Sequence, residues 1–159
     1  MGQILKKNVD GFQNSQLLMT ASQIGVRESR MIIGAYVLTK EDLEEGKKFE
    51  DAIAACSYSM DIHSPDGEGT KFYSIPKGDY YTIPYRCLLP QKVDNLLVAG
   101  RCISATHEAQ SSLRIMPTCC CIGEAAGTAI GIAAKSKVKV GNVDIDTLQQ
   151  VLKSNGAVL

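Results

Sequence analysis

The sequence carries no excess of charge of either sign. Its 17 Lys and Arg residues balance 17 Asp and Glu residues, for a formal net charge of zero. Nucleic acids and anionic membrane surfaces are held by clustered basic faces, so neither is expected as a partner. The amino terminus, MGQILKKNVDGF, lacks the unbroken apolar core and small-residue cleavage site of a secretory signal. Residue 6 is Lys, where an N-myristoylation signal needs Ser or Thr. The apolar stretch from Cys119 to Ala134 contains Glu124 and three glycines. It falls short of the roughly 20 apolar residues that a membrane crossing needs. These absences lead to the expectation of a cytoplasmic protein.

Metal signatures are missing as well. Cys56, Cys87 and Cys102 show no C-x-x-C spacing, and His63 and His107 sit in no zinc-like pattern. The other three cysteines are consecutive, Cys119 to Cys121, and chain neighbours point apart. Reduced thiols used as small core residues are expected. The alternative is a reactive thiol in the triplet, activated by a helix N-terminus. No internal repeat or low-complexity linker occurs. Apolar residues make up 45% and charged residues 21%, which is enough apolar content for one globular core.

What the chain does have is concentrated between Asn95 and Lys135. A turn pair, Asp94-Asn95, opens a short apolar run, Leu96 to Ala99, which predicts a buried strand in a parallel sheet. Gly100-Arg101 follows. The glycine lets a ligand approach the backbone, and the arginine suits an anionic group. Beyond a polar passage, Gly123, Gly127 and Gly131 recur at four-residue spacing in an alanine-rich segment. Such spacing lines one helix face, leaving it nearly bare for something flat. The start of that helix offers unpaired N–H groups and a positive dipole end. Tight helix-to-sheet packing would use the same glycine spacing.

Read together, NLLVAGRCISATHEAQSSLRIMPT and the following G-x-A-A-G resemble the closing segment of the FAD domain in glutathione-reductase-like flavoproteins. The similarity is to the broad FAD-dependent oxidoreductase family, which includes relatives of heterodisulfide reductase. IGVRESRMIIGAYVLT, FEDAIAACSYSMDIH and YYTIPYRCLLP extend it over nearly the whole chain. The family's dinucleotide fingerprint, G-x-G-x-x-G between a strand and a helix, occurs nowhere in the sequence. The resemblance therefore implies the C-terminal portion of a flavoenzyme without its N-terminal FAD-anchoring half. The expected class is α+β or α/β. Residues 1–90 would form a β-rich substrate or cap region, and residues 91–159 the C-terminal portion of the FAD-binding domain.

Local patterns give the expected elements. Gln3 to Val9 reads as a helix end stopped near Gly11, and Leu17 to Ile24 as a strand. Arg27 to Leu38 reads as a second strand, with Gly34 marking a bulge or a close neighbour. Thr39 to Asp42 has capping-box form. Asp51 to Met60 has an Ala-rich centre that could be helical, and the resemblance tips it towards strand; Ser64 to Thr70 reads as a loop. Phe72–Ile75 and Tyr80–Ile83 predict a hairpin around Pro76 to Asp79. Asp144 caps a final helix running to Leu152 and closed near Gly156.

The resemblance also implies site residues. Gly100 and Arg101 would lie at the FAD pyrophosphate or ribityl chain. Gly123, Glu124 and Gly127 would lie along the flavin, with N–H groups towards an isoalloxazine carbonyl. Arg114 would neutralise phosphate or brace the loop, or form a structural ion pair with Glu108 or Glu124. Arg27 and Arg30 could grip a substrate carboxylate near Asp61, with His63 as a proton shuttle. The competing reading is an Asp–Arg network that fixes the cap region. His107 is expected to orient its loop. FAD is the implied cofactor, and the isolated chain is not expected to retain it. Implied partners are an N-terminal FAD-binding half or a separate polypeptide, a small-molecule substrate, and further copies of the chain in a homo-oligomer. The alternative is a non-catalytic oligomeric remnant.

Overall fold

The computed structural model describes residues 2–63 and 69–159. In order, its elements are α1 (Gly2–Asn8), α2 (Lys40–Glu44), β1 (Ala52–Cys56), β2 (Met60–His63), β3 (Thr70–Tyr73), β4 (Tyr81–Pro84), α3 (His107–Leu113), α4 (Met116–Ser136) and α5 (Ile145–Ser154). This is a mixed helix and strand architecture, compatible with α+β. Short 3-10 turns lie at 85–88, 100–102 and 140–142.

The strands pair as two antiparallel ribbons, β1 with β4 and β2 with β3. The expected hairpin between Phe72–Ile75 and Tyr80–Ile83 is thus overturned, although Pro76 to Asp79 does turn, with Asp79 N–H donating to the Pro76 carbonyl. Burial gives the reason. All four β4 residues are buried and β1 is buried almost throughout, so the two make one apolar layer when paired. The β1–β4 register slips between Ala52 and Ala54, a bulge-like irregularity.

Helix α4 closes that layer. Its Ile122, Ala125, Ala129 and Ala133 are buried, and it packs on β1 and α5. At 21 residues it is longer than the apolar stretch suggested, and by length and composition alone it could cross a membrane. Its alanine face is used instead as the lid of a core, which lets the helix backbone approach the sheet closely. Helix α5 is tied to β1 by Gln149, whose Nε2 donates to the carbonyls of Glu50 (2.8 Å) and Ala52 (3.0 Å). Tyr85 donates its hydroxyl to the Val140 carbonyl at 2.8 Å. One hydrophobic cluster runs from Leu38 to Leu152 and so joins both parts of the chain.

The end signals behave as their chemistry requires. Thr39 and Asp42 complete a reciprocal capping box on α2, and Gly46 follows with φ +60°. Asp144 accepts from Thr147 N–H at 2.9 Å to start α5, and Gly156 lies beyond its end with φ +95°. Helix α1 stops before Gly11, whose φ is +90°.

Three expected strands do not form as such. Leu17 to Ile24 is irregular, with Leu18 and Ile24 both more than nine-tenths exposed. Arg27 to Leu38 is an extended thread with only isolated bridges, Gly34 to Pro90 and Leu38 to Ala105. Leu96 to Ala99 is irregular and mostly at the surface; Val98 N–H donates to the Leu88 carbonyl at 2.9 Å, and no parallel strand lies alongside among the described residues. An apolar run becomes a ladder only where a partner edge is available. The loop expected over Ser64 to Thr70 falls largely outside the described residues, and Thr70 itself opens β3. The thiol expectation holds for Cys56 and Cys87, which are buried. It fails for Cys102, Cys120 and Cys121, which are exposed, and for Cys119, which is half-buried.

Candidate functional site

The junction between α3 and α4 organises the charged residues. Thr106 caps α3 by accepting from Ala109 N–H, and the helix buries Ala109 to Leu113. Arg114 ends it, with its side chain 7% exposed. Nη2 of Arg114 donates to both the carboxylate Oδ1 and the backbone carbonyl of Asp61, each at 3.1 Å. Nη1 lies 3.5 Å from the Glu28 carboxylate. The other Glu28 oxygen meets His107 Nδ1 at 2.5 Å. Arg27 closes the set by donating to Asp61 Oδ2 at 3.2 Å.

Of the expected carboxylate-gripping residues, the structure brings together Arg27 and Asp61. Arg30 is exposed and takes no part in the cluster. The His63 backbone lies in β2, and its side chain falls outside the described residues. The partners of Arg114 are Glu28 and Asp61, not the expected Glu108 or Glu124. Sequence separation hid them: Asp61 is 53 positions away, and only the fold brings β2 beside α3. Glu28 was missed altogether. The alternating charges of RESR were its single signal, and they do not say which partner is meant.

Arg101 stands between this cluster and α4. Nη1 donates to the Val26 carbonyl at 2.8 Å, and Nε to the Arg114 carbonyl at 3.3 Å. Burial raises the Cys119 pKa, and Arg101 opposes that shift without cancelling it. Gly100 beside it adopts φ +79°, a conformation that only glycine takes without strain. Gln110, fully buried, donates to the carbonyls of Arg27 (3.2 Å) and Arg101 (3.5 Å). Gln110 Oε1 and Arg114 Nε are buried with no hydrogen-bond partner among the described residues, one acceptor and one donor on the same helix end.

The glycine stripe is open. Gly123, Gly127 and Gly131 lie on the exposed side of α4, opposite its buried alanines, and a Cβ added at any of them would meet nothing within 4 Å. The tight-packing reading of that spacing is therefore overturned. Glu124 is exposed next to the stripe. Gly123 sits in the third turn of α4, so its N–H belongs to the helical ladder. The uncommitted N–H groups lie earlier. Cys119 N–H is the first to reach back, to Ile115, and Ile115 supplies no side-chain cap. The free donors of α4 thus sit at Met116 and Thr118, since Pro117 has no N–H, about two turns from the glycines they were expected to accompany.

This surface fits a flat, phosphate-bearing group in kind. It combines a bare helix face, an uncapped helix start, an arginine and a glycine with positive φ. No curated protein and no solved structure matches the chain. The family model described as FAD dependent oxidoreductase matches residues 1–152. With nearly its whole length matched, this chain belongs to the FAD dependent oxidoreductase family.

Proposed function

We propose that this chain supplies the flavin-facing and substrate-facing surface of an FAD-dependent oxidoreductase and needs a further polypeptide segment to hold the cofactor. The open glycine face of α4 is the observation that carries this reading. Gly123 and Gly127 lie under the ring, Glu124 at its margin, and Gly100 with Arg101 at the phosphate-bearing tail. Bound FAD would supply the redox chemistry, passing a hydride or electrons between substrate and acceptor. The chain's own task is position and charge. Arg27 and Arg114 carry forked donors on the substrate side, and Asp61 holds the two in place.

The adenosine end of FAD is held elsewhere, because G-x-G-x-x-G is absent here. Alone, the chain binds FAD weakly. Joined to a segment or separate polypeptide that carries the fingerprint, it forms a yellow complex. Gly127→Val tests the contact. The valine side chain occupies the open face, so the variant complex loses flavin absorbance while its thermal unfolding stays that of a folded protein. A complex equally yellow with valine at 127 refutes the ring contact. Full FAD retention by the purified chain alone refutes the need for a second segment.

A second reading, a non-catalytic oligomer, is favoured by the exposure of Leu17, Leu18, Met19 and Ile24. Light scattering separates the two. A stable homo-oligomer that remains colourless with every fingerprint-bearing partner supports this second reading; a monomer counts against it.

A further inference from the structure

Asn155 closes α5 as its C-cap, and Gly156 follows it directly. The other asparagines, Asn8, Asn14, Asn95 and Asn142, precede Val, Ser, Leu and Val. Glycine has no side chain to shield its N–H, so at this pair a backbone nitrogen meets a neighbouring carboxamide with least hindrance. Both residues are exposed, and among the described residues no hydrogen bond holds the Asn155 side chain. The backbone, by contrast, is tied down. Asn155 N–H donates to the carbonyls of Val151 and Leu152, each at 3.1 Å. Gly156 N–H donates to Lys153 and Ala157 N–H to Leu152, each at 3.0 Å. With Gly156 at φ +95°, these last two bonds make a Schellman helix end. Beyond it Ala157 and Leu159 pack against the core, and Leu159 lines a small cleft with Phe49, Thr82 and Gln149.

We propose that Asn155-Gly156 is a deamidation site, that opening of this helix end sets its rate, and that conversion loosens the segment after it. The Gly156 nitrogen loses its proton to water and attacks Asn155 Cγ. A C–N bond forms, the Cγ–Nδ2 bond breaks, and the leaving nitrogen takes up a proton to depart as ammonia. Water then opens the cyclic imide at either carbonyl. One product is aspartate; the other is isoaspartate, in which the main chain runs through Cγ. No oxidant or reductant is consumed. In the imide the Gly156 nitrogen must eclipse Asn155 Cβ about the Cα–C bond. At the observed ψ of −1° it eclipses the Asn155 nitrogen instead. Turning it breaks the Gly156 and Ala157 hydrogen bonds, so the closed helix end holds the reaction back. Either product places a carboxylate at the C-terminal end of α5, where the helix dipole opposes negative charge. Isoaspartate also lengthens the main chain by a carbon, so the Schellman register is not remade. No flavin takes part, so this inference and the flavin reading stand or fall separately.

The full chain is incubated at neutral pH, folded and in concentrated urea, and sampled over time. Cleavage after lysine at mildly acidic pH releases Asn155 in peptide 154–159 and Asn14 in peptide 8–40, which serves as the internal reference. Chromatography with mass spectrometry resolves the asparagine, aspartate and isoaspartate forms. In urea Asn155 converts faster than Asn14. In the folded chain Asn155 converts severalfold more slowly than in urea. Asp144→Ala, which removes the cap that starts α5, speeds the folded-state conversion and leaves the urea rate unchanged. Circular dichroism checks that this variant is folded, and the comparison of the two wild-type rates does not depend on it. Hydrogen exchange over 154–159 reads the consequence: protection falls from wild type to Asn155→Asp, and further in the purified isoaspartate form. Conversion in urea no faster than at Asn14 overturns the site. Equal wild-type rates in the two states overturn the control by the helix end, as does a folded-state rate that Asp144→Ala leaves unchanged. An isoaspartate form as protected as the wild type overturns the loosening.

Discussion

Arg114 holds Asp61 by two atoms of the same residue, its carboxylate and its backbone carbonyl, both 3.1 Å from Nη2. The contact fixes strand β2 to the end of α3, and through the Arg114 carbonyl it also seats Arg101. The charged cluster and the surface beside α4 therefore share one mechanical anchor.

Removing that anchor is costly. Arg114→Ala leaves the Asp61 and Glu28 carboxylates without their shared partner, and loss of one member of a buried pair costs about 3 kcal/mol. Arg114→Lys keeps the charge but loses the planar fork, so it recovers only part of the loss. Urea unfolding at neutral pH measures both. A loss for Arg114→Ala of only about 0.5 kcal/mol, the scale of an exposed pair, contradicts the anchoring role.

Two glycines respond with opposite sign to the same substitution. At Gly34 an added Cβ lies 2.8 Å from the Ser104 Cβ and 3.1 and 3.2 Å from the carbonyls of Arg86 and Cys87. Gly34→Ala should destabilise by about 1–3 kcal/mol through overpacking against backbone that cannot yield. At Gly127 the space is open and the backbone helical, so Gly127→Ala should stabilise by about 0.5–1 kcal/mol. Paired thermal melts decide, and equal shifts of one sign contradict the packing described.

Stability should fall in alkali by a defined route. Burial pushes the Cys87 thiol, ordinarily near 9, up to about 12, and the Tyr85 hydroxyl, ordinarily near 10, up to about 12. The unfolded chain releases these protons first. Their stabilising contribution is thus complete below about pH 9 and is lost as pH rises from there towards about 12. Cys87→Ala should make the decline above about pH 9 shallower, leaving there the share of the less buried Cys119 thiol, with Tyr81 and Tyr85 adding from about pH 10. Denaturant midpoints between pH 8 and 11.5 follow it. An unchanged slope just above pH 9 in the variant contradicts the assignment to Cys87.

Asp42 governs an acid limb. Burial opposes its charge, yet Lys47 at 2.6 Å, the Thr39 N–H and the Tyr36 hydroxyl together hold its carboxyl below the ordinary range. Its contribution is present above the ordinary carboxylate value near 4 and is lost as pH falls through the lowered folded value. Asp42→Asn should remove that part of the pH dependence. Thr39→Ala, which deletes the other half of the capping box, should cost about 1 kcal/mol. Stability profiles between pH 2 and 6 test the first, and a melt at pH 7 tests the second. An Asp42→Asn profile with the wild-type slope contradicts it.

Elements announced by their own residues were legible in advance. Thr39 with Asp42, Asp144 with Gly156, the turn at Asp94-Asn95 and the glycine stripe of α4 need only neighbours within a few positions, so local chemistry decides them. A close neighbour at Gly34 was legible from a glycine set in an apolar run, but not that Arg86, Cys87 and Ser104 supply it. Strand partners were not. β4 pairs with β1 across some thirty residues, and Leu96 to Ala99 has the composition of a strand without an edge to join. The charged cluster divides in the same way. The arginines and Asp61 stand out as residue types, but Glu28 meets Arg114 only because the fold carries an extended thread past the end of α3. Short-range hydrogen bonds and backbone preferences are written residue by residue. Pairing, burial and the company a charge keeps depend on which distant segments compete for the same space, and that is settled only when the whole chain packs.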